Sequence, residues 1–318
     1  MQMKGLRRKE RCNKKLKLVS QKYLVQMQYQ ITHTTEYEYH QSVSLCHNIT
    51  KLILRNTHDQ LCKKTVVKII PQPDIISEYK DFFGNHVMYF AIQQEHRHLK
   101  VTVFSQIEKK TASGSTLNFY KGTTWEEVKL LIQEPGEDNY DARQYIPETD
   151  ITQSTQEILQ YTKVSFTPGR SMFDASAELM QRICKDFEFK PGFTTVATPL
   201  AVVIKERKGV CQDFAHFAIA CMRSVGLPAR YVSGYLETLA PPGKEKLVGV
   251  DASHAWFSVY IPNTGWIDFD PTNNMMPGEQ HITIGWGRDY TDVSPLKGVI
   301  LSSGPHQLHV SVDVRRMG

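Results

Sequence analysis

The sequence predicts an α+β protein in which an all-β, sandwich-like N-terminal domain precedes a domain of helices and antiparallel strands. Two observations lead to this prediction. Short segments rich in β-branched and aromatic residues follow one another closely between residues 29 and 103. From Met172 onward, apolar residues first recur at helical spacing, and strand-like segments come after them.

The N-terminal strands are indicated by residue type, alternation and the turns between them. Residues 31–39 are β-branched or aromatic at most positions, and residues 66–70 form an apolar run that stops at Pro71. Residues 81–86 are typical of a turn and precede a second apolar run at 87–92. Several short strands at this spacing favour a sandwich.

Helices and further strands are predicted after a connection rich in glycine and proline. Two short helices are expected near 124–133 and 154–162. A helix with an apolar stripe at Ala175, Leu179, Ile183 and Phe187 follows. Two more helices, at 199–208 and from Cys211 to a stop at Gly226, precede strands at 229–236, 255–261 and 266–269. Helices followed by antiparallel strands are typical of an α+β domain.

Three regions are predicted from these patterns: a basic leader at 1–26, a β domain with its connection at 27–150, and a second domain at 151–318. The leader holds nine basic residues and one acid, so its net charge is +8. Because the formal net charge of the whole chain is +5, the remaining residues carry −3. It is interpreted as a disordered tail or as sequence upstream of a second start at Met27, with a nucleic-acid or membrane-surface arm as the alternative.

Composition excludes several classes of function. The slightly acidic body has no broad basic surface for nucleic acid. No apolar segment follows the basic leader as in a secretory signal, and no apolar run reaches about 18 residues, so no membrane span is expected. The six cysteines form no C-x-x-C pair, which favours reduced thiols in a cytoplasmic compartment over a zinc site or a disulfide framework. No metal or cofactor is predicted, and the oligomeric state is left open.

Cys211 is the cysteine whose setting favours a thiolate. It lies where Gly209 and Val210 turn into a helix, and the unpaired N–H groups of a helix N-terminus lower a thiol pKa and can bind an oxyanion. Gly209 is expected to let the backbone and a substrate approach closely. The alternative is a small buried thiol, which is the interpretation given to Cys184 and Cys221 in their helices.

A thiolate nucleophile needs a general base and a group that orients the base. His254 begins a strand, and sixteen residues later Asp270 ends the next one. A short turn at 262–265 joins the strands as a hairpin, so the start of the first lies beside the end of the second. This pairing predicts that Asp270 holds the imidazole of His254, although a lone histidine is often structural.

The chain resembles the transglutaminase-like family of microbial proteins. The resemblance rests on residues 209–215, the segment His254-Ala255-Trp256 and residues 268–272, and it continues through 223–235. The β unit, through residues 29–37 and 81–85, is similar to the N-terminal domain that accompanies such cores. The resemblance implies a papain-like fold and a catalytic triad of Cys211 as nucleophile, His254 as base and then acid, and Asp270 as orienting group. No D-x-D-x-D-G loop is present, which argues against the calcium-switched animal type.

Four neighbouring residues receive weaker assignments. Gln212 and Trp256 are candidates for substrate or oxyanion binding, with Trp256 either lining the site or belonging to the core. Asp213 is interpreted as structural because it lies in the first helical turn, and Asp268 is an alternative orienting group on the same face as Asp270. The His96-Arg97-His98 segment is interpreted as an exposed turn and not as a metal site.

The predicted function is amide-bond hydrolysis of a peptide or protein substrate through a thioester acyl-enzyme. Transfer of the acyl group to an amine, as in protein cross-linking, is the first alternative, because the same thioester can react with either acceptor. A non-catalytic scaffold that keeps the fold is the second. No nucleic-acid or membrane partner is expected.

Overall fold

The computed structural model describes residues 25–111, 122–238, 252–301 and 304–317. Most of the predicted leader and Cys12 lie outside these residues. The described N-terminal part contains six strands, β1 (Val25–Val43), β2 (Leu45–Thr50), β3 (Gln60–Ile70), β4 (Ile75–Lys80), β5 (His86–Ile92) and β6 (His96–Thr111). The predicted segments at 31–39, 66–70 and 87–92 lie in β1, β3 and β5, whereas β2 and β4 were not predicted. The predicted exposed turn at His96 is wrong, because this residue is buried at the start of β6 and its ring meets that of Tyr39 edge-on.

These strands form a sandwich of two antiparallel sheets, as predicted. One sheet has the order β14-β1-β6-β3 and the other the order β13-β2-β5-β4, where β13 is Leu296–Leu301 and β14 is His306–Met317. Buried side chains from both sheets, including Phe90, Leu99 and Val101, share one apolar cluster. Burial of one face of each sheet explains the alternation seen in the sequence.

The C-terminal strands β13 and β14 belong to the sandwich and not to the predicted second domain. Residues 151–318 were assigned to the second domain, but β13 pairs with β2 and β14 pairs with β1. Both strands close an edge of the sandwich, and the β14 pairing runs from Gln28↔Met317 to Tyr39↔His306. Unpaired strand edges are unfavourable, and no local pattern in the sequence reveals which distant strand covers them.

Five helices lie close to their predicted positions, and two were not predicted. The five are α1 (Trp125–Leu131), α3 (Gln156–Ser165), α4 (Met172–Asp186), α5 (Leu200–Glu206) and α6 (Cys211–Ser224), and the other two are α2 (Glu137–Arg143) and α7 (Tyr290–Val293). Side-chain caps begin several of them: Thr124 accepts from the Glu127 N–H in a capping box, and Ser171 caps α4. No helix among the described residues has the length and apolar character needed to cross a membrane.

A four-stranded antiparallel sheet supports these helices. Its order is β11 (Gly265–Phe269), β10 (Ala252–Ile261), β9 (Ala229–Leu236) and β12 (His281–Gly287). A two-stranded parallel pair, β7 (Glu188–Phe189) and β8 (Lys208–Gly209), lies before α6. Helix α6 packs on β10 and β9, and all its residues from Asp213 to Arg223 are buried. The helix predicted from Cys211 is therefore covered on all sides.

Candidate active site

Cys211 is the first residue of the central helix α6. Val210 is extended before it, and α5 ends in a left-handed Arg207 that turns the chain back toward β8. The side chain of Cys211 is half-buried and packs at the edge of the main apolar cluster. The thiol thus lies at a helix N-terminus, where the backbone N–H groups of the first turn have no partner within the helix.

Asp213 fixes the start of this helix, in agreement with its structural interpretation. Its Oδ2 accepts hydrogen bonds from the Val210 backbone N–H at 2.8 Å and from the Thr194 hydroxyl at 2.6 Å. A Cβ added at Gly209 would lie 2.8 Å from the same oxygen. The position that a side chain of residue 209 would take is therefore filled by Asp213, so the close approach that this glycine permits is made by the Asp213 side chain.

His254 contacts Asp270 through the β10–β11 hairpin. The hairpin register pairs Phe257 with Phe269, so one further step brings Asp270 beside Trp256 and diagonal to His254. The distance between His254 Nε2 and Asp270 Oδ2 is 2.7 Å, and both side chains are buried. The contact expected from the hairpin is present, although it is diagonal rather than directly across.

Asp270 is held ionised by a dense set of hydrogen bonds. Its Oδ1 accepts from the backbone N–H groups of Thr272 and Asn273, and its Oδ2 accepts from His254, His281 and the Asn273 amide. Burial by itself would raise the pKa of this carboxyl, but the bonds from His254, His281 and Asn273 outweigh burial and hold it well below its usual range. A permanent negative charge therefore faces the imidazole.

The imidazole of His254 lies between this carboxylate and the thiol. Burial lowers its pKa, but hydrogen bonds to Asp270 and to Cys211 more than compensate and raise the pKa to about 9. Since Nε2 is bonded to Asp270, Nδ1 is the ring nitrogen left for the sulfur. The arrangement favours an imidazolium at neutral pH, and this positive charge stabilises a thiolate beside it.

His281 was missed by the sequence reasoning. It begins β12, is buried, and its Nε2 lies 3.1 Å from Asp270 Oδ2, while its Nδ1 accepts from the Gly278 N–H at 3.4 Å. Burial lowers its pKa, so it is neutral at pH 7 and donates to the carboxylate. One of twelve histidines, eleven residues after Asp270 and outside the hairpin, gives no local signal.

The contacts of Asp268 and Trp256 decide between the alternatives that the sequence left open for these two residues. Asp268 accepts a hydrogen bond from Trp256 Nε1 at 3.1 Å, whereas Asp270 is the carboxylate on His254. Trp256 is fully buried, its ring lies 6.0 Å from that of His254, and it meets His281 edge-on at 5.3 Å. Trp256 therefore packs behind the imidazole. Gln212 is half-buried in the first turn of α6.

The other described cysteines differ from Cys211 in their surroundings. Cys221 is fully buried in α6, and burial raises the pKa of its thiol to about 12. Burial also raises the pKa of Cys46 and Cys184. All five described cysteines are free thiols. Burial confirms the interpretation of Cys221 as a core residue, whereas Cys184 is only half-buried and lies by the Thr272 carbonyl.

One group in the described part of the chain has the composition of a metal site. The candidate ligand atoms of His254, Asp270 and His281 all lie within 4.8 Å of one another. Both Nε2 atoms are bonded to the same carboxylate oxygen, so a metal would have to displace two protons that hold the imidazoles in place.

Two family models match the chain. The transglutaminase-like superfamily core matches residues 160–271, a range that contains Cys211, His254 and Asp270. The bacterial transglutaminase-like N-terminal region matches residues 29–108, which form the greater part of the sandwich.

Similar proteins cover nearly the whole chain. An uncharacterised protein of Mycobacterium tuberculosis is 36% identical over 297 residues, which are 90% of this chain and 92% of the relative. The crystal structure of a candidate cysteine protease from Cytophaga hutchinsonii superposes with a TM-score of 0.72 at 20% identity and covers 93% of both chains. A protein-glutamine gamma-glutamyltransferase of Pseudomonas aeruginosa is 32% identical over 105 residues, which are 32% of this chain and 16% of that enzyme.

Proposed function

The chain belongs to the transglutaminase-like superfamily, and on that premise we propose that it is a cysteine-dependent amide hydrolase with a triad of Cys211, His254 and Asp270. The family and its relatives support cysteine-dependent catalysis in general. One observation carries the finer proposal: the His254 imidazole is hydrogen-bonded on one side to an ionised, buried Asp270 and on the other to Cys211.

The proposed reaction begins from an ion pair in which His254 is an imidazolium that already holds the proton of the Cys211 thiol. The thiolate attacks the carbonyl carbon of an amide, and the resulting oxyanion is bound by the unpaired N–H groups of the first turn of α6. The imidazolium then protonates the leaving amine as the C–N bond breaks, which leaves a thioester on Cys211. Water, activated by the neutral imidazole, hydrolyses the thioester and restores the thiol.

Transfer of the acyl group to an amine is the second candidate. The match of 105 residues to a protein-glutamine gamma-glutamyltransferase favours it, since both reactions share the thioester. Hydrolysis remains the first choice because water is always present, whereas transfer requires a site that holds the amine.

The first test measures the reactivity of Cys211. The chain is treated with iodoacetamide at pH 7, and the labelled cysteines are identified by peptide mass spectrometry. We expect Cys211 to react many times faster than a free model thiol, because the imidazolium stabilises the thiolate. Cys184→Ala is the matched control, since Cys184 is also half-buried but lies by the Thr272 carbonyl.

Two results would contradict the proposed triad: labelling of Cys211 no faster than the model thiol, or unchanged amide turnover in Cys211→Ala. Such a result would favour a non-catalytic scaffold.

The second test separates water from amines as acceptors. A glutamine-containing peptide is incubated with the chain and a fluorescent primary amine, and both glutamate formation and amine incorporation are quantified. Glutamate without incorporation, absent in Cys211→Ala, is the expected result for a hydrolase. Incorporation that exceeds glutamate formation would assign the transamidase reaction instead.

A further inference from the structure

A cavity of about 740 Å³ lies between the sandwich and the face of the β9–β12 sheet that points away from α6. The sandwich contributes Arg55 and Phe82, and the sheet contributes Arg230, Trp266 and Trp286. Cys211 does not line this cavity. Trp256 and His281, which pack behind His254, form part of its wall.

Arg230 is clamped in this cavity between two indole rings. Its Cζ lies 4.2 Å from the ring centroid of Trp266 and 3.8 Å from that of Trp286, and the residue is only 8% exposed. The Cζ of Arg55 lies 3.5 Å from the Trp286 centroid, so the two guanidinium groups must occupy opposite faces of this indole. Cation–π stacking holds the Arg230 guanidinium flat and leaves only its N–H edge for hydrogen bonds.

The N–H edge of Arg230 is poorly satisfied. Its Nε has no hydrogen-bond partner among the described residues. Arg223 is equally buried, yet it donates to the carbonyls of Tyr145, Ala229 and Arg288. A buried N–H group without a partner is costly, so the unsatisfied Nε of Arg230 points to a ligand that accepts from it.

The polar groups next to Arg230 make no hydrogen bond to its Nε, although the Asp268 carboxylate attracts the guanidinium electrostatically. Ser258 is its partner on β10 and is also the partner of Asp268 on β11, and the buried Ser258 hydroxyl has no hydrogen-bond partner either. Asp268 is engaged by the indole N–H of Trp256. Arg55 adds a second positive charge and uses one of its own nitrogens on Phe83 and Asn85.

We infer that this cavity is a carboxylate-binding site in which the planar edge of Arg230 binds the ligand's carboxylate. A guanidinium edge matches the two oxygens of a carboxylate in a bidentate pair. The aromatic rings of Phe82, Tyr145 and Trp266 line the same cavity and suit an apolar or planar group beside that carboxylate. A singly charged carboxylate is favoured over phosphate, because three acids balance the three cationic side chains of the lining and leave no excess positive charge for a dianion. The acids are Asp59, Asp141 and Asp268, and the cations are Arg55, Lys109 and Arg230.

This site is independent of the proposed acyl transfer, because neither Arg230 nor the two indoles belong to the triad. The inference is therefore tested in both the wild type and Cys211→Ala. Binding that disappears in Cys211→Ala would locate the ligand at the thiol and overturn the assignment to Arg230.

The test uses benzoate and its neutral analogue benzamide, with inorganic phosphate as a third probe. Indole N–H resonances of the four tryptophans are followed by ¹H–¹⁵N NMR during titration of the full chain. Benzoate is expected to shift Trp266 and Trp286, and benzamide is expected to shift neither. Trp125 is the internal control, since its indole N–H donates to the Thr167 carbonyl and it does not line the cavity.

Arg230→Lys keeps the charge but loses the planar edge, and we expect it to weaken benzoate binding about ten-fold or more. Arg182→Lys is the control variant, since Arg182 also stacks on an aromatic ring, with its Cζ 3.9 Å from the Tyr161 centroid. Equal shifts from benzamide, tighter binding of phosphate, or undiminished benzoate binding in Arg230→Lys would each overturn the inference. If Arg230→Lys does not fold, the wild-type comparison of benzoate with benzamide decides alone.

Discussion

At the scale of single residues, the candidate site depends on one carboxylate. Asp270 accepts hydrogen bonds on both oxygens and is fully buried, so its charge persists over the whole working pH range. This charge is the reason that His254, although buried, has a pKa above the ordinary value for histidine. The same interaction links the pH dependence of stability and of catalysis.

Asp270→Asn should shift the alkaline limit of activity. In the proposed mechanism the His254 imidazolium protonates the leaving group, and since it is lost as the pH rises through about 9, kcat/KM of the wild type should fall there. Asparagine removes the charge while burial remains, which lowers the pKa of His254 and moves the limit to lower pH. Profiles of kcat/KM against pH check this, with Asp268→Asn as the control on the neighbouring carboxylate.

The contribution of His254 to folding stability should also be lost at alkaline pH. Its folded pKa of about 9 exceeds the ordinary value of 6.5, so its contribution is complete below pH 6.5 and is lost as the pH rises through about 9. An Asp270→Asn variant with an unchanged alkaline limit and unchanged stability over this window would contradict the assignment.

His281 is a positioning residue for Asp270. His281→Leu removes a buried hydrogen bond to the carboxylate and should lower kcat/KM about ten-fold, since bonds to charged groups contribute about 1.5–3 kcal/mol. Because the same bond lowers the pKa of Asp270, the acid limit of the profile should move to higher pH. His281→Gln keeps an N–H donor and should recover most of the loss. Equal activity and equal acid limits in the two variants would rule out this role.

At the scale of secondary structure, the N-terminus of α6 and the β10–β11 hairpin bring the reacting groups together. The hairpin carries both His254 and Asp270, so their contact is set within one local unit. Cys211 comes from a separate element, and the packing of α6 on β10 determines its distance from the imidazole. The hydrogen bonds of Asp213 to Val210 and Thr194 keep the helix start in one conformation.

Gly209→Ala should disturb this helix start. The new Cβ would lie 2.8 Å from Asp213 Oδ2 and 2.9 Å from Asp213 Cβ, so the Asp213 side chain must move and lose its bond to Val210. We expect a loss of about 1–2 kcal/mol in the free energy of unfolding and slower alkylation of Cys211. Urea unfolding and iodoacetamide rates measure both effects. Gly122→Ala is the control, since no atom lies within 4 Å of its added Cβ, and it should change neither.

At the scale of the whole molecule, the C-terminal strands tie the two units together. Strand β14 completes the sheet that contains β1, and its Val312 and Val314 pack in a cluster with Tyr235 of β9 and Ile282 of β12. Arg316 adds an ion pair of 2.9 Å to Glu237, which follows β9. The sandwich and the sheet of the candidate site therefore share an apolar interface.

Val314→Ala tests this coupling. Val314 is fully buried in the shared cluster, so removing two methyl groups should reduce the free energy of unfolding by about 2 kcal/mol. Val310→Ala on the same strand is the control, since Val310 is 53% exposed, and it should have little effect. Chemical denaturation followed by fluorescence measures both variants. An equal loss in the two variants would contradict the shared core.

The sequence alone determined the features that are set by short stretches of chain. Alternation and helical spacing placed the strands and helices, because burial of one face imposes its period on neighbouring residues. A short turn determined that His254 and Asp270 meet, and three ordered segments indicated the family. The catalytic roles of Cys211, His254 and Asp270 remain predictions of that analysis.

Only the tertiary structure decided the contacts between distant segments. It brought His281 to Asp270, stacked Arg230 between Trp266 and Trp286, and returned β13 and β14 to the sandwich. It also showed that Asp268 accepts a hydrogen bond from Trp256, whereas Asp270 contacts His254. The sequence could not assign these contacts, because both acids lie on the same face of one strand. These contacts depend on how helices and strands that are far apart in the chain pack together. Such packing produces no periodic pattern in the sequence, so local patterns cannot predict which residues meet.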